Sequence, residues 1–463
     1  MTSSLAHRLA AYADQLTFDK LPKEVVHEAK RVVIDSFGTA LGAYHEEPVA
    51  AARKLACEFS ADRGATVLGT AHKAPPDWAT FANCYHVRYF DYNDTYLSKE
   101  PAHPSDNICA VLAAGESVGA NGRQLIESIV IAYEVQCRFC DAVSIRARGW
   151  DHVTYGAFST ALACARIFGL DREKLRHAVN IGGVASAALR QSRVGELSHW
   201  KGCAFANAAR QGIYAAMLAR AGITGPAPIF EGEKGFEKLV AGEKMNVPYP
   251  FGETPATQDK PDDFMIRKSC IKYYPAEYHA QSAVYVTLQL KKKLGIGDGT
   301  EVDSILVESH DAAVDIIGSE PEKWRPDSRE TADHSLPYMV AAALVDGELT
   351  DRQFEPSRFK DEALLAVVAK VKVQRHQELS AMYPGAVGNI VHIKLKDGRS
   401  ESMRLDHPPG HAKNRLSDEQ LLGKFHTLTD PIIGKDRAAK LADWCWKLDQ
   451  QQDLGAVFKQ VQL

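Results

Sequence analysis

The strongest constraint in this sequence is a helical period that holds from residue 3 to about residue 245, with no strand alternation to interrupt it. Leu5, Leu9, Tyr12 and Leu16 recur at three- and four-residue steps behind Ser4, which can cap the first helix. Pro22 stands where a first-turn proline belongs and opens KEVVHEAKRVVIDSFGTALGAY. That segment carries Val25, Val26, Val32, Val33, Ile34, Phe37 and Leu41 on nearly every side, so it reads as a central, buried helix. Further helical runs are expected near 77–90, 105–118, 123–143, 152–168, 172–190 and 198–221, punctuated by Gly or Asn-Gly.

The pattern changes after residue 245. Residues 246–264, NVPYPFGETPATQDKPDDF, hold four prolines and read as a crossing linker. Beyond it, helical runs at about 276–293, 335–345 and 361–369 alternate with the period-two segments TEVDSILVES, AKVKVQRH and VHIKLKDGRSESMRL, the last a hairpin around Asp397-Gly398. From Ser417 onward the helical period returns. The expected organisation is mainly α: a discontinuous all-helical domain made of residues 1–265 and a returning tail, 406–463, with a smaller α+β lid domain over 266–405. Such a layout leaves a cleft between body and lid.

Charge narrows the partner. The 55 basic and 59 acidic side chains leave a net charge of −4, too weak a field to collect nucleic acid or an anionic membrane surface, so a small-molecule partner is expected. MTSSLAHRLAAYADQL lacks a basic region followed by an apolar core, and no run of eighteen apolar residues occurs, so the chain is read as cytoplasmic. The nine cysteines are scattered singly through apolar segments, which fits that compartment. Cys137 and Cys140 have a two-residue gap but lie in an apolar helix with no third cysteine at cluster spacing, and His407 and His411 fit no common zinc pattern. No metal is expected.

One stretch breaks the apolar rhythm: YFDYNDTYLSKEPAHPSDN, residues 89–107, with Asp91, Asp94, Thr95 and His103. Pro104 disfavours helix at His103, and Ser105-Asp106 offers the next N-cap. His103 should therefore stand just outside a helix N-terminus, where free N–H groups attract an anion such as a substrate carboxylate. Asp91 and Thr95 share a face if the preceding helix runs through them, and a carboxylate beside a histidine can fix its tautomer.

Elsewhere Asp151 reads as a cap with His152 in the first turn, and Lys201 sits in another first turn, where an anionic ligand would relieve its conflict with the helix dipole. Lys272 precedes a Tyr-Tyr-Pro turn near the hinge, where a cation could close on a bound anion. His334 and Tyr338 lie four apart on one helical face, aimed at core or cleft, and Arg190, Gln191 and Arg193 offer contacts for a third carboxylate. Each residue taken alone has an ordinary structural explanation as a capped loop, a boundary histidine or a solvated lysine.

Taken together, the pieces FDYNDTYLSKEPAHPSDN, GWDHVTYGAF, LSHWKGCAFANAAR, IKYYPAEYHAQSAV, TADHSLPYMVAAALVDG and LDHPPGHAKNRLSDEQLLGKF, in this order and spacing, resemble the MmgE/PrpD family over essentially the whole chain. The resemblance implies the helical body and α+β lid, a homodimer, and no metal or organic cofactor. It implies activity on a small polycarboxylate: dehydration of 2-methylcitrate, with cis-aconitate decarboxylation and iminodisuccinate epimerisation as alternatives. The family's site residues fall on Asp91, Thr95, His103, His152, Lys201, Lys272 and Tyr338.

For a dehydration, Lys201 and Lys272 would neutralise the charge that develops when a proton leaves carbon beside a carboxylate. His103 and His152 are the base and acid in an order left open, Asp91 orients one of them, and Thr95 and Tyr338 donate hydrogen bonds. Replacing either histidine by alanine is expected to cost at least ~10²-fold in kcat. The reading from another class is a non-catalytic helical scaffold that binds a protein through the lid.

Overall fold

In the computed structural model residues 3–194, 197–252 and 256–463 are described; parts of the N-terminal stretch and of the proline-rich linker read above lie outside the described residues. The helical period becomes α1 (Leu5–Gln15), α2 (Lys23–Gly42), α3 (Glu47–Ala56), α4 (Pro76–Arg88), α5 (Ile108–Val118), α6 (Gly122–Ala142), α7 (Val153–Ile167), α8 (Arg172–Ala185) and α9 (Trp200–Arg220). The apolar segment after Pro22 is indeed interior, since α2 buries Val25, Val32, Val33, Ile34 and Leu41. Helices α7 and α9 pack closely through small residues: a Cβ at Gly156 would lie 2.4 Å from the Phe205 ring, and one at Gly212 would lie 2.6 Å from Thr160.

Local departures have local causes. The helix expected over 172–190 stops at Ala185, because residues 188–190 turn away to pair with the segment before α7: Asp151 N–H donates to Ala188 O at 2.8 Å and Arg190 N–H to Gly149 O at 2.9 Å. A short antiparallel ribbon, β1 (Ala65–Thr66) with β2 (Lys73–Ala74), interrupts the helices where no alternation announced it. Ser4 occupies the N-cap position of α1 but its hydroxyl pairs with His7 Nδ1 at 2.7 Å instead of a backbone N–H.

After the linker, α10 (Gln281–Leu294) and the helices Leu336–Asp346 and Glu362–Val368 cover a four-stranded sheet. Its strands are β3 (Val302–Ser309), β4 (Val371–Arg375), β5 (Asn389–Leu395) and β6 (Ser400–Leu405), in the order β4-β3-β5-β6. β5 and β6 form the hairpin around Asp397-Gly398, with Gly398 at φ 93°, where a residue without Cβ is favoured. The β3–β4 pair is parallel, its crossover passing through the covering helices. With 58% helix and 8% strand the chain is mainly α.

Two large apolar cores form among the described residues, with a small third cluster of Cys270, Tyr278 and Val387. One runs from Leu5 to Ile271 and resumes at Leu416 through Val461; the other takes its side chains from Tyr274 to Leu395. The tail helix Asp418–Ile433 lies on α2, where a Cβ at Gly38 would sit 3.3 Å from Phe425. Its Lys424 reaches inward, with Nζ 2.6 Å from Asp35 and donating to Tyr92 O at 2.7 Å and Lys272 O at 3.0 Å. Among the described residues no helix is long and apolar enough to cross a membrane.

Candidate active site

A pocket of about 110 Å³ opens where the two cores meet, lined by Arg88, Asp91, Thr95, His103, Arg146, His152, Arg190, Arg193, Lys201 and Lys272 from one side and by Glu277, His279, Ile316 and His334 from the other. Its centre is a turn. Helix α4 ends at Arg88, and Asp91 adopts φ 49°, a left-handed conformation that Asp tolerates better than most residues. The helix therefore does not run through Asp91 to Thr95, and the two do not share a helical face. Lys272 clasps the turn, its Nζ donating to Asp91 O at 2.6 Å and to Oδ1 at 2.7 Å.

Arg88 organises the neighbours of that turn. Its guanidinium pairs with Asp91 Oδ1, donates to His103 Nε2 at 3.0 Å and lies 3.9 Å from Asp106. Burial would raise the Asp91 carboxyl, but Arg88, Lys272 and Lys201 hold it well below the usual carboxylate range. Burial pushes Lys272 down, only partly offset by Asp91.

The two histidines face each other with ring centroids 5.9 Å apart, yet their surroundings differ. His103 Nδ1 lies 2.7 Å from Asp94 O, which can only accept, so that nitrogen carries the proton and Nε2 accepts from Arg88. Burial, Arg88 and Lys272 keep its pKa well below the usual histidine value. His152 stands at the N-cap position of α7, outside the first turn, with Nδ1 2.9 Å from Asp151 Oδ1. Its Nε2 is buried and has no hydrogen-bond partner among the described residues. Asp151 also accepts from Ser192 Oγ at 2.6 Å and Arg193 Nε at 2.9 Å. Arg193 and His152 overcome burial and hold the Asp151 carboxyl well below the usual range.

Two expectations about anions need correction. Asp91 orients neither imidazole: the carboxylate on a histidine nitrogen is that of Asp151, and Asp91 Oδ1 is 4.0 Å from His103 Nε2. The N–H groups after Pro104 do not wait for a substrate either, because Ser105 N–H already donates to Asp94 Oδ1 at 2.9 Å. Asp94 Oδ2 accepts from Tyr133 at 2.7 Å, and burial raises its carboxyl to about 6.

Lys201 lies in the first turn of α9 and reaches across to the lid, its Nζ 3.0 Å from Asp333 Oδ1, 2.9 Å from His334 Nδ1 and 3.9 Å from Asp91 Oδ2. Among the described residues Asp91, Asp333 and His334 are the one trio of ligand-type side chains close enough to share a metal ion. The Lys201 ammonium already occupies the cation position of that trio, so a metal there would have to displace it. Cys137 and Cys140 are buried along α6, where desolvation keeps both as thiols.

Thr95 lines the pocket, its hydroxyl donating to Ala102 O at 3.3 Å. Arg190 lines it as well, whereas Gln191 is exposed on the outer face of the same short turn, away from the pocket. Tyr338 is buried in the lid core with its hydroxyl donated to Gln353 O. Ser335 caps the helix Leu336–Asp346, accepting from Tyr338 N–H at 3.1 Å, so His334 lies before the helix and the four-residue helical phase does not extend to it. His334 faces the pocket and Tyr338 the core. Residues that sequence reasoning missed are Arg88, Arg146, Asp333 and, as a histidine partner, Asp151. Arg88 stands three residues before Asp91, and Asp151 and Asp333 each adjoin a histidine already singled out.

The arrangement offers an unshared buried imidazole lone pair opposite a set of fixed cations, the equipment for moving a proton next to an anionic group. Residues 7–247 match the MmgE/PrpD N-terminal domain model and residues 274–448 the MmgE/PrpD C-terminal domain model. Among curated proteins, the 2-methylcitrate dehydratase of Escherichia coli K12 is 27% identical over 387 residues, covering 78% of this chain and 77% of its own length. That of Cupriavidus necator is 28% identical, covering 79% and 77%. The cis-aconitate decarboxylase of Mus musculus is 24% identical over 470 residues, covering 98% of this chain and 92% of its own. The two domain models between them span most of the sequence, including the pocket-lining residues named above other than Lys272, and the chain belongs to the MmgE/PrpD family.

Proposed function

We propose that this protein is a hydro-lyase that dehydrates a small tricarboxylate, with 2-methylcitrate to 2-methylaconitate as the first candidate. The observation that carries the reading is the buried, unpartnered Nε2 of His152, whose ring is fixed through Nδ1 by Asp151. In this reading Nε2 takes the proton from the carbon next to a carboxylate, and the resulting imidazolium is paired with Asp151. Lys201, Lys272 and Arg88 stabilise the charge that builds on that carboxylate before the hydroxyl on the adjacent carbon departs.

The leaving hydroxyl needs a proton. His103 carries its proton on the wrong nitrogen, toward Asp94 O. Lys272 suits the task better: two of its three N–H groups are committed to Asp91, and burial lowers its pKa, which makes the ammonium a stronger acid. Water forms from the hydroxyl and the Lys272 proton; the proton on His152 then passes to solvent and Lys272 takes one back from solvent, so the enzyme ends as it began. Thr95 contributes a hydroxyl at the wall.

The names of the bacterial relatives favour this substrate, and the mouse relative supports decarboxylation of cis-aconitate as the second reading. The deciding experiment follows ultraviolet absorbance of chelator-treated enzyme with 2-methylcitrate. Growth of the conjugated double bond of 2-methylaconitate is expected; silence there, together with carbon dioxide release from cis-aconitate, would replace dehydration with decarboxylation.

A further inference from the structure

The pocket holds more positive charge than its own carboxylates use. Six cationic side chains line it, and four have acid partners: Arg88 and Lys272 on Asp91, Arg193 on Asp151, Lys201 on Asp333. Arg146 and Arg190 have no ion pair among the described residues. Two carboxylates lie near Arg190, and neither forms an ion pair with Arg190 or Arg146, although Glu100 Oε1 has no hydrogen-bond partner among the described residues. Glu100 Oε2 accepts from Ser144 Oγ at 2.9 Å, Ile145 N–H at 2.8 Å and Arg146 N–H at 3.0 Å, and Asp151 holds His152, Ser192 and Arg193.

The two guanidiniums are also held beside each other by backbone. Arg146 sits on the turn before Gly149, Arg190 N–H donates to Gly149 O at 2.9 Å, and Trp150 bridges to Leu189. Both side chains are half-buried, and Arg146 lies close enough to depress the pKa of Arg190 beyond the effect of burial. Two like charges fixed at one end of a pocket, neither with an ion-pair partner among the described residues, suit an anion brought by the ligand.

We propose that Arg146 and Arg190 form a two-guanidinium subsite for one carboxylate arm of the substrate, remote from the carbon that reacts, so that the pocket selects tricarboxylates over dicarboxylates. This rests on the proposed function, because the reacting end of the substrate is assigned to His152, Lys201 and Lys272. Dehydration itself needs only the carboxylate beside the abstracted proton. The subsite adds a demand for a further carboxylate and fixes which end of the molecule faces the base.

The test is calorimetric binding to the intact enzyme of tricarballylate, a tricarboxylate with no hydroxyl to lose, and of glutarate, a dicarboxylate. Wild type is expected to prefer tricarballylate, and R146Q and R190Q are each expected to weaken tricarballylate about tenfold or more while changing glutarate little, so that the preference collapses. Melting temperatures without ligand should stay near wild type, which separates lost binding from lost folding. Equal affinity of wild type and variants for tricarballylate would overturn the subsite while leaving the dehydratase reading in place. Failure of wild type to bind any tricarboxylate would overturn both.

Discussion

His103 and His152 share one pocket wall and little else. One ring is pinned at both nitrogens by groups that force it neutral, a carbonyl on Nδ1 and a guanidinium on Nε2. The other is pinned at one nitrogen by a firmly ionised carboxylate and leaves the second unshared. The same side chain is thus held at both nitrogens in one place and left with an open nitrogen in the other, and the difference lies in the partners. Residue type alone treats the two as equivalent; hydrogen-bond partners separate them.

The comparison is most directly broken by paired substitutions. His152→Ala should lower kcat about 10³-fold and His103→Ala only about tenfold, with the latter's larger effect on stability, since Arg88 and the Asp94 carbonyl lose their partner. Equal losses in kcat would return both rings to the chemistry. Next in size, Asp151→Asn should lower kcat about 10²-fold and reshape the acid limb of the pH–rate profile, because the amide no longer stabilises an imidazolium; an unchanged profile would show that Asp151 serves folding alone.

A smaller effect concerns pH and the Arg88 side. Asp106 lies behind Arg88, and burial raises its carboxyl to about 7, against Arg88 which opposes the rise. The folded chain therefore keeps a proton that the unfolded chain loses near pH 4, and this contribution to stability, complete below that pH, fades as pH climbs to about 7. Over that window the slope amounts to about 1.4 kcal/mol per pH unit, which Asp106→Asn should remove from denaturant midpoints measured across pH. Asp151 carries the opposite sign: its contribution is lost only as pH falls into the range where carboxylates protonate. An Asp106→Asn slope equal to wild type would mean that the Arg88 side is no softer than the Asp151 side.

Least of all, Tyr338→Phe should cost about 1 kcal/mol of stability, one buried hydrogen bond, and leave kcat within about twofold. A large fall in kcat would bring Tyr338 back from the lid core into the site.

What the sequence disclosed follows from which interactions are periodic. Helices α2, α4, α6, α7 and α9 and the hairpin at Asp397-Gly398 bury side chains at regular spacing, so their pattern is written along the chain. The pocket depends on breaks in periodicity. The left-handed turn at Asp91 carries no glycine to announce it, and Arg88 looks like any basic residue at a helix end. Asp151 was legible as a cap, and its bond to His152 was not, because capping and tautomer control call on the same residue type. The spacing of His334 and Tyr338 leaves core and cleft open for a related reason: the helix begins only at Leu336, so a four-residue step does not put the two on one face.

The clasp formed by Lys424 has a consequence for how the enzyme is made. Its ammonium closes on the carbonyls of Tyr92 and Lys272, the first behind the turn of Asp91 and the second at the lysine that grips it. A ribosome delivers Asp91, His103, His152, Lys201 and Lys272 well before Lys424, so during synthesis the reactive groups exist for a time without the strap that fixes their backbone. The backbone on either side of the Asp91–Lys272 contact therefore gains its Lys424 hydrogen bonds only after the tail helix Asp418–Ile433 has been made and has docked.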